Sequence, residues 1–307
     1  MGSSAIVIKV SNFAPIRRFV QKSFLFKGLV KRFIAGDTLD EALNIAEKLS
    51  ARGFGVSLDY LGENTISPEE AKKAKAAYIN MLERIAASPC APKTNISIKL
   101  TQCGLDIGRE FCTAILREVL GRAAELGLFV RVDMESSAYT EQTVDIMAEV
   151  FAEYKNTGTV LQSYLYRTPK DVGRLLGLGM RLRLVKGAYL EPPTIAYPKK
   201  RDVDKAYREL SVRLLDSGIY HGIATHDEAI IRFVCGNAEQ KGIDKARGFE
   251  FQMLYGIRRD LQEKLINQGY NVRVYLPYGD QWYPYFTRRL AERPANMLFI
   301  LKSLFRG

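Results

Sequence analysis

TVLQSYLYRTPKDVGRLLGLGMRLRLVK, residues Thr159–Lys186, holds one complete structural repeat. Thr159 to Leu165 is a short run rich in apolar residues, the pattern of a buried strand. Thr168-Pro169-Lys170-Asp171 then offers a capping hydroxyl, a first-turn proline and an acid, all favoured where the amide donors of a helix start are exposed. Gly179 stops that helix where a left-handed residue is needed, and Arg181 to Lys186 begins the next strand. Strand, helix and strand within about thirty residues is the length of a βα unit joining parallel strands.

The same rhythm extends in both directions. Strands are predicted at Gly55 to Leu61, Asn95 to Thr101, Phe129 to Glu135, Thr159 to Leu165, Arg181 to Lys186, Tyr220 to Thr225, Phe249 to Leu254 and Val272 to Pro277. Ser67-Pro68-Glu69-Glu70 is a second helix start, and Gly127, Gly179, Gly218, Gly242 and Gly269 each stand just ahead of a strand as helix stops. Eight such units close a barrel. An open doubly wound sheet would ordinarily carry a glycine-rich turn after its first strand, and Asp59-Tyr60-Leu61-Gly62-Glu63-Asn64 is not one. The expected fold is α/β, a (β/α)8 TIM-like barrel over residues 51–307, with residues 1–50 forming extra N-terminal helices packed on it.

Those first fifty residues contain a basic amphipathic stretch from Pro15 to Ile34, in which Ile16, Phe19, Val20, Phe24, Val30 and Phe33 are interleaved with Arg17, Arg18, Lys22, Lys27, Lys31 and Arg32. Two readings stand side by side: a helix packed on the barrel exterior, or a peripheral contact with an anionic membrane surface. Thr38-x-x-Glu41 follows as a capping box for a helix ending near Gly53.

Hydrophobic residues make up 47% of the 307, ample for a large core, and the formal charge is +11. That charge calls for an acidic partner: an anionic cofactor, a membrane surface or, least supported because the basic residues are scattered, nucleic acid. Met1 to Val10 lacks a basic lead and a small-residue cleavage site, and no apolar run reaches eighteen residues, so a cytoplasmic protein is expected, peripheral on the inner face of the cytoplasmic membrane if the basic stretch binds lipid. Cys90, Cys103, Cys112 and Cys235 form no C-x-x-C pair, so neither disulfides nor thiolate-held zinc are expected. His221 and His226 are better explained by a strand crossing than by a metal site, and no metal is expected.

A barrel of this kind builds its active site at the C-terminal ends of the strands, so polar residues closing apolar runs are the candidates. These are Lys99, Asp133 and Glu135, Gln162, Arg183 and Lys186, Thr225 and His226, and Tyr275. Singly, each could be a structural ion pair. Together, so many buried ionisable groups would cost several kcal/mol per unpaired charge unless something anionic bound there. Arg288 and Arg289 open the last helix with Glu292 on the face of Arg288, an arrangement that serves surface support or a forked grip on a carboxylate equally well.

The run Tyr275-Leu276-Pro277-Tyr278-Gly279-x-x-Trp282-Tyr283-Pro284-Tyr285, followed by Arg288-Arg289-Leu290-Ala291-Glu292-Arg293-Pro294-Ala295-Asn296, resembles the signature of the proline dehydrogenases. Further matches are Ser97-Ile98-Lys99-Leu100, Val132-Asp133-Met134-Glu135, Arg183-Leu184-Val185-Lys186-Gly187-Ala188-Tyr189, Ala224-Thr225-His226 and Glu250-Phe251-Gln252-Met253-Leu254-Tyr255-Gly256, so the likeness covers roughly residues 50 to 300. The resemblance implies a flavin enzyme, monofunctional and of bacterial type, that oxidises L-proline to 1-pyrroline-5-carboxylate. FAD would lie across the barrel mouth, a membrane quinone would accept the electrons, and a pyrroline-carboxylate dehydrogenase would be the downstream partner. Carried over by motif position, Arg288, Arg289 and Lys99 would hold the substrate carboxylate, with Glu292 fixing a guanidinium. Tyr275, Tyr189 and Leu254 would shape the ring pocket, and Asp133 would orient the cations. Arg183 would lie near the reactive flavin nitrogen, with Met134, Gln162, Lys186, Gly187, Ala188, Thr225 and His226 contacting the flavin or its phosphates. A cation beside the flavin raises its electron affinity.

Two other functions fit parts of the same sequence. A Schiff-base aldolase would use Lys99 or Lys186 as a strand-end nucleophile. A non-catalytic anion- or lipid-binding barrel would use only the net charge and the basic stretch.

Overall fold

Eight parallel strands hydrogen-bond in chain order and β8 closes on β1. The computed structural model describes residues 30–62 and 64–291, and residues 288–291 by their backbone only. The strands are β1 Gly55–Tyr60, β2 Thr94–Ile98, β3 Val130–Val132, β4 Thr157–Gln162, β5 Arg181–Val185, β6 His221–Ala224, β7 Phe249–Leu254 and β8 Asn271–Tyr278. The helices are α1 Leu39–Ala51, α2 Pro68–Ala86, α3 Arg109–Glu125, α4 Ser137–Glu153, α5 Thr168–Gly177, α6 Lys200–Asp216, α7 Glu228–Gln240, α8 Arg259–Asn267 and α9 Tyr283–Ala291. This is a (β/α)8 barrel.

The local signals act as predicted at most boundaries. Thr38 and Glu41 form the reciprocal capping box of α1, and Ser67 Oγ accepts the Glu70 N–H at the start of α2. The five stop glycines all have φ between 64° and 83°. Two expectations need correction. Thr168 does not cap α5, because it is already inside the helix and its hydroxyl donates to the Gln162 carbonyl, leaving Arg167 as a cap without a side-chain bond. Several strands also end earlier than the apolar runs suggest. Thr101 and Glu135 lie past β2 and β3 because they bond each other, the Thr101 N–H donating to the Glu135 carboxylate at 3.1 Å. Leu165 leaves the barrel to make an antiparallel bridge with Ala196.

Strand alternation divides the wall into two faces. Val56, Leu58, Ile96, Ile98, Val130, Val132, Leu182, Leu184, Phe251, Val274 and Leu276 point outward and join the helices in one buried apolar cluster with Tyr78, Met81, Leu116, Val119 and Met147. Each such side chain contributes about 1.5–3 kcal/mol on burial. The inward face is polar instead. Arg183 on β5 reaches Ser57 on β1, Ser97 on β2, Asp133 after β3 and Gln252 on β7, which is possible only across the barrel interior.

His221 opens β6 at the opposite end from the mouth, where its Nδ1 accepts the Leu182 N–H at 2.9 Å and its Nε2 lies 2.9 Å from Ser217 Oγ. His226 lies beyond the other end of β6, so the two histidines share no site. Burial, with Arg131 nearby, holds the His221 ring down to about 3. An ordinary histidine of the unfolded chain titrates near ~6.5. The contribution of the neutral ring is therefore complete above that value and declines by up to ~1.4 kcal/mol per pH unit as pH falls from it toward the folded value. His221→Asn, which keeps an acceptor for Leu182, should flatten the urea-denaturation stability profile between pH 6.5 and 5. An unaltered slope would place the acid sensitivity elsewhere.

Of the basic stretch Pro15 to Ile34, residues 15–29 lie outside the described residues. Its end is described: Val30, Phe33 and Ile34 are buried with Leu61, Ile257, Tyr285 and Phe286. The Ala35 N–H donates to the Pro277 carbonyl at 2.8 Å. Gly256, at φ 76°, is needed there, since a Cβ would overlap the Arg32 carbonyl oxygen. Among the described residues no helix is long and apolar enough to cross a membrane.

Candidate active site

The strand ends bring most of the predicted residues to one mouth. Asp133, the first residue after β3, accepts from Arg183 Nη1 at 2.7 Å on one carboxylate oxygen and from the Tyr275 hydroxyl at 2.7 Å on the other. The Arg183 guanidinium also lies 5.3 Å from the Tyr275 ring centroid, within cation–π range. Burial, with the charges of Asp133 and Asp59, holds the Tyr275 phenol well above its ordinary value, so it remains a donor. These three groups come from different strands and form one rigid unit.

Lys99, just past β2, donates to Asp59 Oδ1 at 2.7 Å in a pair whose side chains are 9% and 1% exposed. Burial pushes the Asp59 carboxyl up despite the ammonium, and Asp133 adds to the rise. Ser57 and Ser97 hydroxyls, 3.0 Å apart, lie beneath. At the β4 end, Gln162 Nε2 donates to the Glu135 carbonyl at 2.9 Å. Met134 is buried beside it in sequence, and Leu254 and Tyr275 pack against the cluster that holds Val30 and Phe33.

On the β5–β6 side, Lys186 bridges Asp204 at 2.6 Å and Asp227 at 3.0 Å, and Lys200 approaches the same two carboxylates. Burial would raise Asp227, but the Lys186 bond and charge, with the Ile230 and Ala229 N–H groups of the α7 start, bring it down to about 2. Thr225 Oγ1 accepts the Asp227 N–H, and His226 Nε2 accepts the Leu254 N–H at 3.0 Å, which leaves the neutral ring's proton on Nδ1. Gly187, at φ 114°, lies where a Cβ would overlap the Tyr164 ring. The loop it begins carries Ala188 and the half-buried Tyr189. Glu191 then pins that loop to the start of α4, accepting the Ser137 N–H at 2.8 Å.

The charge argument made from sequence is overturned for these residues. Lys99 has Asp59, Arg183 has Asp133, and Lys186 with Lys200 has Asp204 and Asp227, so these cations do not call for an anionic ligand to neutralise them. Asp59, Asp204, Asp227, Ser57, Ser97 and Gln252 were not among the predicted residues. For those on strands the signal was parity: Ser57 and Asp59, Ser97 and Lys99, and Glu250 and Gln252 are polar at alternate positions, which marks the inward face, whereas Asp204 lies in a helix and Asp227 caps one. Arg288 and Arg289 are in α9, but their side chains, like all of Glu292, lie outside the described residues. Among the described residues no cluster of metal-binding side chains occurs.

A sequence profile of the family described as proline dehydrogenase matches residues 42–302. Proline dehydrogenase 1 of Bacillus subtilis subsp. natto is 40% identical over 276 residues, 90% of each chain. Proline dehydrogenase of Deinococcus radiodurans is 42% identical over 284 residues, 91% of each chain. Among solved structures, proline utilization A (PutA) of Bdellovibrio bacteriovorus, inactivated by N-propargylglycine, superposes with a TM-score of 0.81 at 26% identity. That match covers 94% of this chain but only 36% of the PutA chain. The chain therefore belongs to the proline dehydrogenase family and is an oxidoreductase for the proline-oxidising first step of proline catabolism.

Proposed function

We propose that the chain oxidises L-proline to 1-pyrroline-5-carboxylate with FAD held across the barrel mouth, and that the electrons pass on to a membrane quinone. The observation that carries this reading is the Arg183–Asp133–Tyr275 unit, a buried cation and an aromatic wall locked together at the end of the barrel where such folds perform chemistry. The donor set fits a flavin. Gln162, Thr225 and His226 bring polar side chains to the mouth beside a hydrogen-bonding ring system or its ribityl chain, and Arg183 brings a fixed positive charge. Lys186 fits a phosphate only while shared with Asp204 and Asp227. Met134, Gly187 and Ala188 complete the proposed cofactor contacts.

When bound, FAD supplies a two-electron hydride acceptor. Arg183, held by Asp133, would set positive charge where a bound flavin accepts the hydride, aimed before reaction and at no reorganisation cost. Asp133 holds that guanidinium and the Tyr275 hydroxyl in register. Tyr275, Tyr189 and Leu254 wall the ring, and a tyrosine at 275 leaves little room for a ring hydroxyl, which favours proline over hydroxyproline. Arg288 and Arg289, with Lys99, hold the carboxylate, and Glu292 steadies one guanidinium. L-Proline loses a hydride from a ring carbon and a proton from nitrogen, and the cyclic imine leaves for a pyrroline-carboxylate dehydrogenase.

The Schiff-base alternative needs a lysine turned toward a substrate carbonyl, whereas Lys99 and Lys186 each lie against a carboxylate. For residues 1–50 the packing of Val30, Phe33 and Ile34 supports a segment docked on the barrel, and residues 15–29 remain candidates for a peripheral membrane contact. Anaerobic mixing with L-proline, followed by the visible flavin spectrum, tests the central reading. Bleaching of a yellow protein is expected. A colourless protein that cannot be reconstituted with FAD, or a bound flavin indifferent to L-proline, would overturn it.

A further inference from the structure

Gln252 has no part in the roles assigned above, yet both ends of its amide are engaged inside the barrel. It points inward from β7 and is 4% exposed. Its Oε1 accepts from Arg183 Nε, and its Nε2 donates to Glu250 Oε1 at 2.6 Å. Glu250 Oε1 also accepts from Arg273 Nε at 2.7 Å. Arg273 is itself fixed to the wall, its Nη1 donating to the Val56 and Lys93 carbonyls at 2.8 and 2.9 Å. A continuous chain of contacts thus runs from the barrel floor, Arg273 to Glu250 to Gln252, up to Arg183, Asp133 and Tyr275 at the mouth.

The neighbouring strand makes room for this chain. Gly222 on β6 is in register with Arg183 on one side and Glu250 on the other. A Cβ at Gly222 would overlap the Gln252 amide. Glycine inside a strand weakens it, so its presence marks a close approach, and here the group approaching is Gln252.

The geometry of the guanidinium explains why an amide is needed. Its contacts with Ser57 and Ser97 are long, at 3.2 to 3.3 Å, whereas Asp133 and Gln252 grip it closely through Nη1 and Nε. Two close grips on different edges fix both height and plane. An amide can accept from Arg183 and donate to Glu250 at once, and it does so without setting a second negative charge against the guanidinium.

We propose that Gln252, seated in the space left by Gly222, is a positioning residue for proline oxidation. It ties Arg183 to the Glu250–Arg273 pair on the floor and so holds the guanidinium at the height from which its charge faces the flavin. This inference rests on the assignment of Arg183 to the flavin made above.

The test uses the full FAD-loaded chain and six variants, among them the single Gln252→Ala needed to read the double variant and Arg183→Met as the reference for complete loss of that charge. Readouts are kcat and KM for L-proline, the flavin midpoint potential, the pH profile and thermal stability. Gln252→Leu is expected to lower kcat by about 10- to 100-fold with KM nearly unchanged, as a shift of about 1 Å in a reacting array does, and to move the potential in the direction of Arg183→Met. Gly222→Ala should reproduce that change by displacing the amide. In the double variant Gly222→Ala/Gln252→Ala the losses should not add, because the added methyl no longer meets an amide. Gln252→Glu should act normally at low pH, where the protonated carboxyl copies the amide's bonding, and lose kcat as pH rises and ionisation sets a charge against Arg183 and Glu250. That new pH limb would not arise from a merely structural role, and it remains informative should the leucine variant fold poorly. Normal potential and kcat in Gln252→Leu, or no new limb in Gln252→Glu, while Arg183→Met is impaired, would overturn the positioning role alone. An Arg183→Met variant with unchanged potential and kcat would instead remove the assignment beneath it.

Discussion

Asp133→Ala should lower kcat/KM for L-proline by about two to three orders of magnitude, the kinetic equivalent of ~3–4 kcal/mol lost when one partner of a buried charge pair is removed. The carboxylate accepts from Arg183 and Tyr275 at 2.7 Å each, and its side chain is only 13% exposed, so water replaces it poorly. Its loss leaves the guanidinium without its facing charge and frees the phenol to turn. Asp133→Asn should lie between wild type and Asp133→Ala, because an amide can accept one of the two bonds but turns an N–H toward the other donor. Tyr275→Phe removes only one neutral hydroxyl and should cost tenfold or less, about 1 kcal/mol. Steady-state kinetics with an artificial dye acceptor can rank the three. An Asp133→Ala enzyme with full flavin content and activity within threefold of wild type would sink the assignment.

The ranking separates what was legible in the sequence from what was not. The barrel was legible because strand and helix signals are local: a capping threonine at 38, a proline at 68 and the stop glycines each act on a few neighbouring residues. Strand ends were overextended wherever the apolar run continued past the last ladder bond, as at Leu165, which pairs with Ala196 instead. The residues of the mouth were legible as a set because strand ends are where this fold exposes polar groups. Their partners were not. Asp59 meets Lys99 across 40 residues through the pairing of β1 with β2, and Asp133 meets Tyr275 across 142, from strands that only the barrel brings face to face. For the same reason the order of residues along the chain does not reveal that Asp204 and Asp227 converge on Lys186. Strand parity held the missing clue: an inward face bearing Ser57, Ser97, Arg183 and Gln252 departs from the branched apolar filling usual in such barrels.

Arg288→Met and Arg289→Met should each weaken L-proline binding by about 2 to 5 kcal/mol, seen mainly as a raised KM, if a desolvated carboxylate is their ligand. The backbone supports such a role. α9 begins at Tyr283, five residues after β8 ends at Tyr278, and its first turn is anchored by Tyr285 and Phe286, which are buried against Leu61 and Ile257. Positions 288 and 289 follow within about two helical turns of that anchor, at ~1.5 Å rise per residue. Adjacent residues on a helix diverge by about 100°, so two guanidinium groups there would approach one carboxylate from different directions. Lys99 already shares its charge with Asp59, so most of the grip on the substrate's carboxylate falls to this pair. Ligand choice makes the test specific. Five-membered ring carboxylates that lack the amine should lose inhibitory affinity in both variants by a factor similar to that for L-proline. Pyrrolidine, which lacks the carboxylate, should bind wild type and variants alike. Equal losses for pyrrolidine and L-proline would mean that the arginines shape the pocket rather than grip the carboxylate, and an unchanged KM for L-proline would remove them from the site altogether.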